Sequence, residues 1–423
     1  MKNLFEYFYK CSGVFTDTRN ILKNGLFIAL KGDNFNGNKY AEAAIENGAL
    51  YAIVDEAKYA NNTNTFLVKD SLLFLQSLAN NHRKKLNIPI IGITGTNGKT
   101  TSKELINAVL ETQLNVLATT GNLNNHIGVP LTLLDINKSH DIAIIEMGAS
   151  KPGDIKELCE IAEPTHGTIT NIGSAHMEGF KTFEGVYKTK MELFDFINKT
   201  NGIFTFNEND SVFDKLESTK DKAILMPFGK NNQPIGTITK CNPLLEFKWK
   251  ENTVKSQLVG EYNLYNFLTA ISLGELFEIK ESNIIKSLKS YTPSNNRSQF
   301  SETKHNKLII DCYNANPSSV SAAIQNISAS EEENKVLILG DMLELGDQEK
   351  SEHEKVIRIA KEAKIKTYTV GQAFKSTPSD FVIQNFNTVE DSIAYFDEKP
   401  LRNSLILLKG SRGIALEKLI DKL

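Results

Sequence analysis

Glycine, lysine and threonine, residue types that handle phosphate, gather in Gly92-Ile93-Thr94-Gly95-Thr96-Asn97-Gly98-Lys99-Thr100-Thr101. An apolar run over 88–93 leads into this stretch and a helix-compatible segment over 102–113 follows it. Strand, glycine-rich turn and helix start make an anion site in which backbone N–H groups and the helix N-terminus face a phosphate. Lys99 adds charge, and the Thr100 hydroxyl can bind Mg²⁺. An ordinary P-loop has a glycine where this chain has Ile93, so the loop predicts a nucleotide site of a less common type.

Two further candidates sit at the ends of expected strands. The strand over 141–146 finishes in Glu146, and the strand over 167–170 runs into Asn171-Ile172-Gly173-Ser174-Ala175-His176. Ligands of parallel α/β sheets bind outside the carboxyl ends of the strands, so the loop, Glu146 and His176 are expected at one edge. A carboxylate and an imidazole beside a nucleotide suggest Mg²⁺ ligation, although Mg²⁺ prefers oxygen. A helix over 183–196 carries Lys188 and Lys190. The chain has no G-x-S-x-G elbow, H-E-x-x-H pair or C-x-x-C motif, and nothing marks a covalent nucleophile. Catalysis would rest on positioning and on electrostatic stabilisation of a transferring phosphoryl group. A nucleotide-binding switch or scaffold that makes no bond is the alternative from another class.

The elements that must position these residues divide the chain into a three-domain α/β protein. Residues 1–84 read as a small α/β unit with strands over 25–31 and 49–54 and helices over 40–46 and 70–86. The charged end of the second helix, His82-Arg83-Lys84-Lys85, reads as a solvated terminus. The polar clusters Thr16-Asp17-Thr18-Arg19 and Lys31-Gly32-Asp33-Asn34-Phe35-Asn36-Gly37 are either turn chemistry or a ligand site. Residues 85–293 alternate strand and helix, which implies a central P-loop-like, mostly parallel sheet. Trp249 reads as packing, and a helix over 261–277 carries a buried stripe of Leu264, Phe267, Leu268 and Ile271. The turn-rich Tyr291-Thr292-Pro293-Ser294 marks the second boundary. Residues 294–423 form a C-terminal Rossmann-like unit, with strands over 308–312, 336–339, 367–370 and 405–408 and a last helix over 414–423.

The 423 residues suffice for several sizeable cores, and a formal net charge of −3 makes no electrostatic case for nucleic acid or an anionic membrane. Cys11, Cys159, Cys241 and Cys312 are far apart, as expected of free thiols in a reducing compartment. The N-terminus carries Glu6 and lacks the apolar run of a signal peptide, and no stretch approaches the ~20 apolar residues of a membrane helix. A cytoplasmic protein without membrane insertion is expected.

Gly95-Thr96-Asn97-Gly98-Lys99-Thr100-Thr101 resembles the ATP loop of the Mur ligases, the ATP-dependent amide-forming enzymes of peptidoglycan precursor synthesis; folylpolyglutamate synthases share it. Thr119-Thr120-Gly121-Asn122-Leu123-Asn124-Asn125-His126, Glu146-Met147-Gly148-Ala149 and Asn171 to Phe180 extend the resemblance. So do Asp311-Cys312-Tyr313-Asn314-Ala315-Asn316-Pro317, Gly340-Asp341-Met342-Leu343-Glu344-Leu345-Gly346 and Leu408-Lys409-Gly410-Ser411-Arg412-Gly413. These motifs are most similar to the branch that adds D-alanyl-D-alanine to UDP-N-acetylmuramoyl-tripeptide, and Tyr313 to Pro317 is the most specific. The resemblance implies ATP and Mg²⁺ as cofactors and an acyl-phosphate route, with UDP-sugar binding in 1–84 and ATP binding in 85–293. It implies ATP contacts from Gly95 to Thr101 and from Asn263, Asn266, Arg297 and Asp311. Metal ligation would fall to Thr100, Glu146, His176 and a carbamylated Lys190, with Lys188 the competing lysine; Lys99, His176 and Lys190 would be catalytic. Substrate contacts would come from Thr18, Arg19, Lys31 and Asn36 for the UDP-sugar, and from Asn122, Asn124, Asn125, Tyr313, Asn314 and Asn316. The turn Asn295-Asn296-Arg297 is a loose form of the family's Gly-Arg turn. A monomer is expected.

Overall fold

The computed structural model describes residues 2–173, 177–377 and 379–423. Among them, the strands form a three-domain α/β arrangement. Val14–Phe15, Leu26–Ile28, Tyr51–Val54 and Thr65–Leu67 make a four-stranded parallel sheet in that order. Its alternation places Leu26, Ile28 and Ile53 against Phe74, Leu75 and Leu78, and Phe27, Ala52 and Val54 against Ala41 and Ala44.

The helix Ser71–Leu86 starts on Asp70, whose carboxylate accepts from the Leu73 N–H, and stops at the left-handed Asn87. Its basic end corrects the solvated-terminus reading of His82-Arg83-Lys84-Lys85. His82 and Arg83 are buried, whereas Lys84 and Lys85 remain on the surface. Arg83 donates to the Ala162 and Glu163 carbonyls, each 3.1 Å away, and His82 Nε2 lies 2.7 Å from the Ile136 carbonyl. The last carbonyls of the helix Asp154–Ala162 have no intrahelical donors, and Arg83 supplies them. A charged run read as a surface is therefore the seam between the first unit and the central sheet.

The central sheet is six-stranded and parallel, in the order Ile224–Phe228, Ile203–Asn207, His166–Ile169, Ile90–Thr94, Ile142–Glu146, Val116–Ala118. Ile90, Ile91 and Ile93 are completely buried, as a strand covered by helices on both faces requires. The register pairs Ile93 with Glu146 and Thr94 with Ile169, so three carboxyl ends finish at one level. The strand Ile90–Thr94, earliest in sequence, lies inside this sheet, so connections leave it in both directions and open a crevice at its end.

A nine-stranded mixed sheet runs from Gly236–Cys241, Leu244–Trp249 and Asn252–Val259 through Gln299–Glu302 to the parallel strands Lys307–Asp311, Leu405–Lys409, Lys335–Gly340, Lys366–Val370 and Gln384–Phe386. A Leu258–Gln299 pairing joins the antiparallel part to the rest, so the sheet is continuous across position 293. Trp249 is fully buried beside Phe247 and Phe267, as packing requires. The helix Asn263–Leu276 covers the helix Lys99–Leu110 so closely that a Cβ on Gly274 would sit 2.7 Å from Val109 Cγ1. The phosphate-loop helix starts three residues earlier than its apolar pattern suggests, because left-handed Gly98 is its N-cap. The expected last helix over 414–423 is instead the tight 3₁₀ turns Arg412–Ile414 and Leu416–Lys422, with left-handed Ala415 between them.

Replacing Arg83 with leucine leaves buried carbonyls without donors. It should lower the unfolding free energy by about 1–3 kcal/mol, read as a lower urea midpoint.

Candidate active site

The phosphate loop is shaped largely from outside. Gly95 has φ +145°, and a Cβ there would lie 2.0 Å from Thr170 Oγ1; Gly98 has φ +80°, and a Cβ there would lie 2.6 Å from Asn266 Oδ1. Asn171 accepts from the Thr96 N–H through its carbonyl and from the Asn97 N–H through its side chain, both at 3.0 Å. Its Nδ2 donates back to the Asn97 carbonyl at 3.0 Å. Thr96 Oγ1 accepts from the Gly173 N–H at 2.9 Å. The loop after the neighbouring strand thus holds the phosphate loop in shape. Behind the loop, Ser102 Oγ donates to Asn266 Oδ1, Asn266 donates to Asn263, and Asn263 donates to the Val259 carbonyl.

This loop forms one wall of a cavity of about 720 Å³. Thr96, Asn97, Gly98, Lys99, Thr100 and Thr101 line it, whereas Gly95 contributes its carbonyl, which accepts from Lys99 Nζ at 2.6 Å. Asn122, Asn124, Asn125 and Glu146 lie on a second wall, and Asn263, Asn266, Arg297, Asp311, Tyr313, Asn314 and Asn316 line a further part. Residues from Thr96 to Arg412 are therefore drawn into one chamber.

Electrostatics differ along its walls. Burial pulls the Lys99 ammonium below its ordinary range, with the Glu146 carboxylate opposing and Arg297 reinforcing the shift. Glu146 is 2% exposed; its Oε1 accepts from Asn124 Nδ2 at 2.8 Å, and its Oε2 is buried with no hydrogen-bond partner. An orphaned carboxylate oxygen and the Thr100 hydroxyl in one chamber suit a hard cation that prefers oxygen. Among the described residues no group of three or more His, Cys, Asp or Glu is placed to hold a metal ion; Mg²⁺ typically takes one or two carboxylates and completes its shell with phosphates and water.

Lys190 lies off the cavity lining, 2% exposed, with Nζ 5.9 Å from the Phe180 ring centre. Burial, then repulsion from Lys99, holds its pKa well below the ordinary lysine value. Lys188 is exposed and pairs with Glu184 at 3.4 Å, so of the two lysines only Lys190 sits where burial disfavours its charged form. His176 lies outside the described residues.

On the C-terminal wall, Lys409 is 2% exposed and pairs with Asp311 at 2.8 Å, while the other Asp311 oxygen accepts from the Ser298 N–H at 3.1 Å. The Arg297 and Arg412 guanidinium groups lie 3.9 and 4.9 Å from the Tyr313 ring centre. Asn316 caps the helix Pro317–Ala329 and donates to Asn97 Oδ1 at 2.7 Å, and Asn97 donates to Ser318 Oγ at 3.0 Å. The phosphate loop is thereby bonded directly to the C-terminal unit.

Thr18, Arg19, Lys31 and Asn36 do not line this cavity. They lie at the carboxyl end of the N-terminal sheet. There Arg19 pairs with Asp17 at 2.6 Å, Lys31 pairs with Asp55 at 3.0 Å, and Asn36 caps the turn Gly37–Tyr40. Asn171, Lys409 and Arg412 belong to motifs visible in the sequence, yet their spacing alone assigns them no task. Tyr262 and Ser318, which also line the chamber, carry no signal in the sequence.

A phosphate loop of this form, facing a buried carboxylate across a chamber closed by a third unit, defines an ATP-dependent ligase architecture. The sequence matches the Mur ligase family, catalytic domain over residues 10–104, the Mur ligase middle domain over 93–274, and the Mur ligase, glutamate ligase domain over 296–412. The chain belongs to the Mur ligase family. It is 34% identical to the UDP-N-acetylmuramoyl-tripeptide–D-alanyl-D-alanine ligase of Bacillus subtilis, over 97% of this chain and 93% of that protein. The crystal structure of the MurF ligase of Thermotoga maritima in complex with ADP superposes with a TM-score of 0.87 at 26% identity, covering 100% of this chain and 98% of that one. A MurF structure from Acinetobacter baumannii also gives 0.87, at 27% identity and the same coverage of both chains.

Two outcomes follow from this geometry. An alanine at position 98 meets Asn266 and adopts a left-handed backbone that costs about 1–2 kcal/mol, so Gly98→Ala should weaken ADP binding roughly tenfold or more by calorimetry. Lys190 binds its proton less tightly folded than unfolded, so stability rises with pH from its folded pKa up to its ordinary value of 10.5. Lys190→Met should flatten the rise of the urea midpoint across that range.

Proposed function

We propose that this enzyme forms the amide bond between UDP-N-acetylmuramoyl-tripeptide and D-alanyl-D-alanine, with conversion of ATP to ADP and phosphate, in peptidoglycan precursor synthesis. The observation that carries the reading is the chamber itself, where the phosphate loop and the Glu146 carboxylate face the Tyr313-Asn314-Ala315-Asn316 segment. The near-full-length likeness to D-alanyl-D-alanine ligases supports the choice of substrates.

A carboxylate resists attack by an amine because its oxygen is a poor leaving group. Transfer of the γ-phosphoryl group of ATP to the tripeptide carboxylate makes that oxygen part of a phosphate. The dipeptide amine then attacks the acyl carbon, and the tetrahedral intermediate expels phosphate. Lys99 and the N–H groups opening the helix Lys99–Leu110 would hold the β- and γ-phosphates, a task of positioning and charge stabilisation. Thr100 and Glu146 would hold Mg²⁺, which when bound neutralises charge on the transferring group. His176 and a carbamylated Lys190 would complete the metal set; burial lowers the Lys190 pKa, which favours the neutral amine that carbon dioxide requires. Asn263, Asn266, Arg297 and Asp311 would contact the adenosine and phosphates. The carboxylate of Asp311 is held by Lys409 and Ser298, which sets its orientation.

Asn122, Asn124 and Asn125, with Tyr313, Asn314 and Asn316, would position the two substrates at the reacting carbon. Thr18, Arg19, Lys31 and Asn36 would receive the UDP-sugar, with residues 1–84, 85–293 and 294–423 as the working domains. Among the described residues no helix is long and apolar enough to cross a membrane. A cytoplasmic monomer acting on water-soluble precursors is part of the same reading.

The test offers each amine in turn and measures phosphate release. Release with D-alanyl-D-alanine and none with single amino acids is expected; the reverse pattern would assign another Mur activity. Lys99→Ala should lower kcat by about 10²–10³-fold. Nucleotide binding without an amide product from any substrate pair would favour a switch or scaffold.

A further inference from the structure

The helix that opens at the phosphate loop carries a second lysine, one turn beyond Lys99. Lys103 is 2% exposed and lies off the cavity lining. Its Nζ donates to the Thr119 carbonyl, and the Glu104 carboxylate balances its charge at 2.8 Å. A buried ammonium carries a desolvation cost of several kcal/mol that an apolar side chain would not, so its place here calls for a task.

The bonds continue from Thr119 to the chamber. Thr119 Oγ1 accepts from the Glu146 N–H at 3.0 Å, and the Thr119 N–H donates to the Ile144 carbonyl at 2.9 Å. Further along the same loop, Asn124 donates to Glu146 Oε1 at 2.8 Å and accepts the Gly148 N–H on its carbonyl at 2.7 Å. Residues 119–125 therefore grip Glu146 at its backbone and at one carboxylate oxygen. The other oxygen is the buried one with no partner. Lys103 is the bond that ties this loop to the helix carrying Lys99 and Thr100.

We propose that Lys103 is a positioning residue for the metal–nucleotide complex: through Thr119 it fixes the spacing between the Glu146 carboxylate and the Thr100 hydroxyl. This rests on the reading of Glu146 and Thr100 as Mg²⁺ ligands. Without Lys103 the phosphate loop keeps its supports, Asn171 and Asn266, so nucleotide alone still binds. What falls is the gain in nucleotide binding that the metal brings.

The test is calorimetry of ADP binding to the full-length protein with and without Mg²⁺, with Mn²⁺ and ADP as a second probe read by electron paramagnetic resonance. In Lys103→Met, ADP alone should bind within about twofold of the wild type, while the Mg²⁺-linked gain falls about tenfold. Lys103→Arg should restore most of that gain, and Thr119→Val, which keeps the carbonyl but lacks the hydroxyl, should reproduce the loss. A folded Lys103→Met protein with an undiminished gain overturns the proposal, as does an equal loss with and without metal, which marks a merely structural role. Should Lys103→Met not fold, Thr119→Val decides alone: an unchanged gain overturns the proposal and a reduced gain supports it. Absence of any Mg²⁺-linked gain in the wild type overturns the metal reading of Glu146 and Thr100 and this proposal with it; presence of the gain with insensitive variants overturns this proposal alone.

Discussion

A loop that binds phosphate with its N–H groups keeps few of them for holding its own shape. The first turn of a helix leaves its N–H groups without intrahelical acceptors, which suits an anion but gives the loop little internal support. In this protein the support comes from carbonyls and side chains around it. Asn171 and Thr170 hold Asn97 from the adjoining strand end, Asn266 packs against Gly98, and Asn316 reaches Asn97 from the C-terminal unit. These supports come from three distant stretches of the chain, at 170–171, 266 and 316, so the nucleotide site forms only when the fold is complete.

The same dependence governs the carboxylate. A buried Glu with one satisfied and one bare oxygen is costly unless a cation shares the space. Glu146 is kept in that state by the register that ends its strand level with the phosphate loop, and by the loop 119–125 that binds its backbone and one oxygen. Neighbouring positive charge is arranged unequally: Lys99 faces Glu146, whereas Lys409 is occupied by Asp311 and the Asn314 carbonyl. The cations left toward the C-terminal wall are the two guanidinium groups around Tyr313. Charge in the chamber is thus partitioned between the phosphate-loop end, with Lys99 and Glu146, and an arginine-lined end.

Much of this was legible in the sequence, for a local reason. Strand, glycine turn and helix are contiguous, so the phosphate loop, the strand ends at Glu146 and Thr170, and the class of sheet follow from short-range pattern and the parallel-sheet rule. The Mur ligase resemblance likewise rests on short contiguous motifs. The buried stripe of Leu264, Phe267, Leu268 and Ile271 follows from periodicity, and Trp249 reads as packing because nothing near it suggests stacking on a ligand.

Tertiary structure decided the rest. A charged run such as His82-Arg83 reads as surface until helix carbonyls 79 residues away are seen to need its donors. The sequence could name Lys188 and Lys190 as competitors, but only the packing of their helix buries one and exposes the other. Asn171 and Lys103 are ordinary polar residues by sequence; their tasks exist because separate strands bring a carbonyl or a loop within hydrogen-bond reach. Sequence by itself determined which local pieces can meet phosphate, since backbone conformation and residue type are local properties. Burial, charge balance and the distance between the phosphate loop and Tyr313 to Asn316 are properties of the assembled chain, and only the fold sets them.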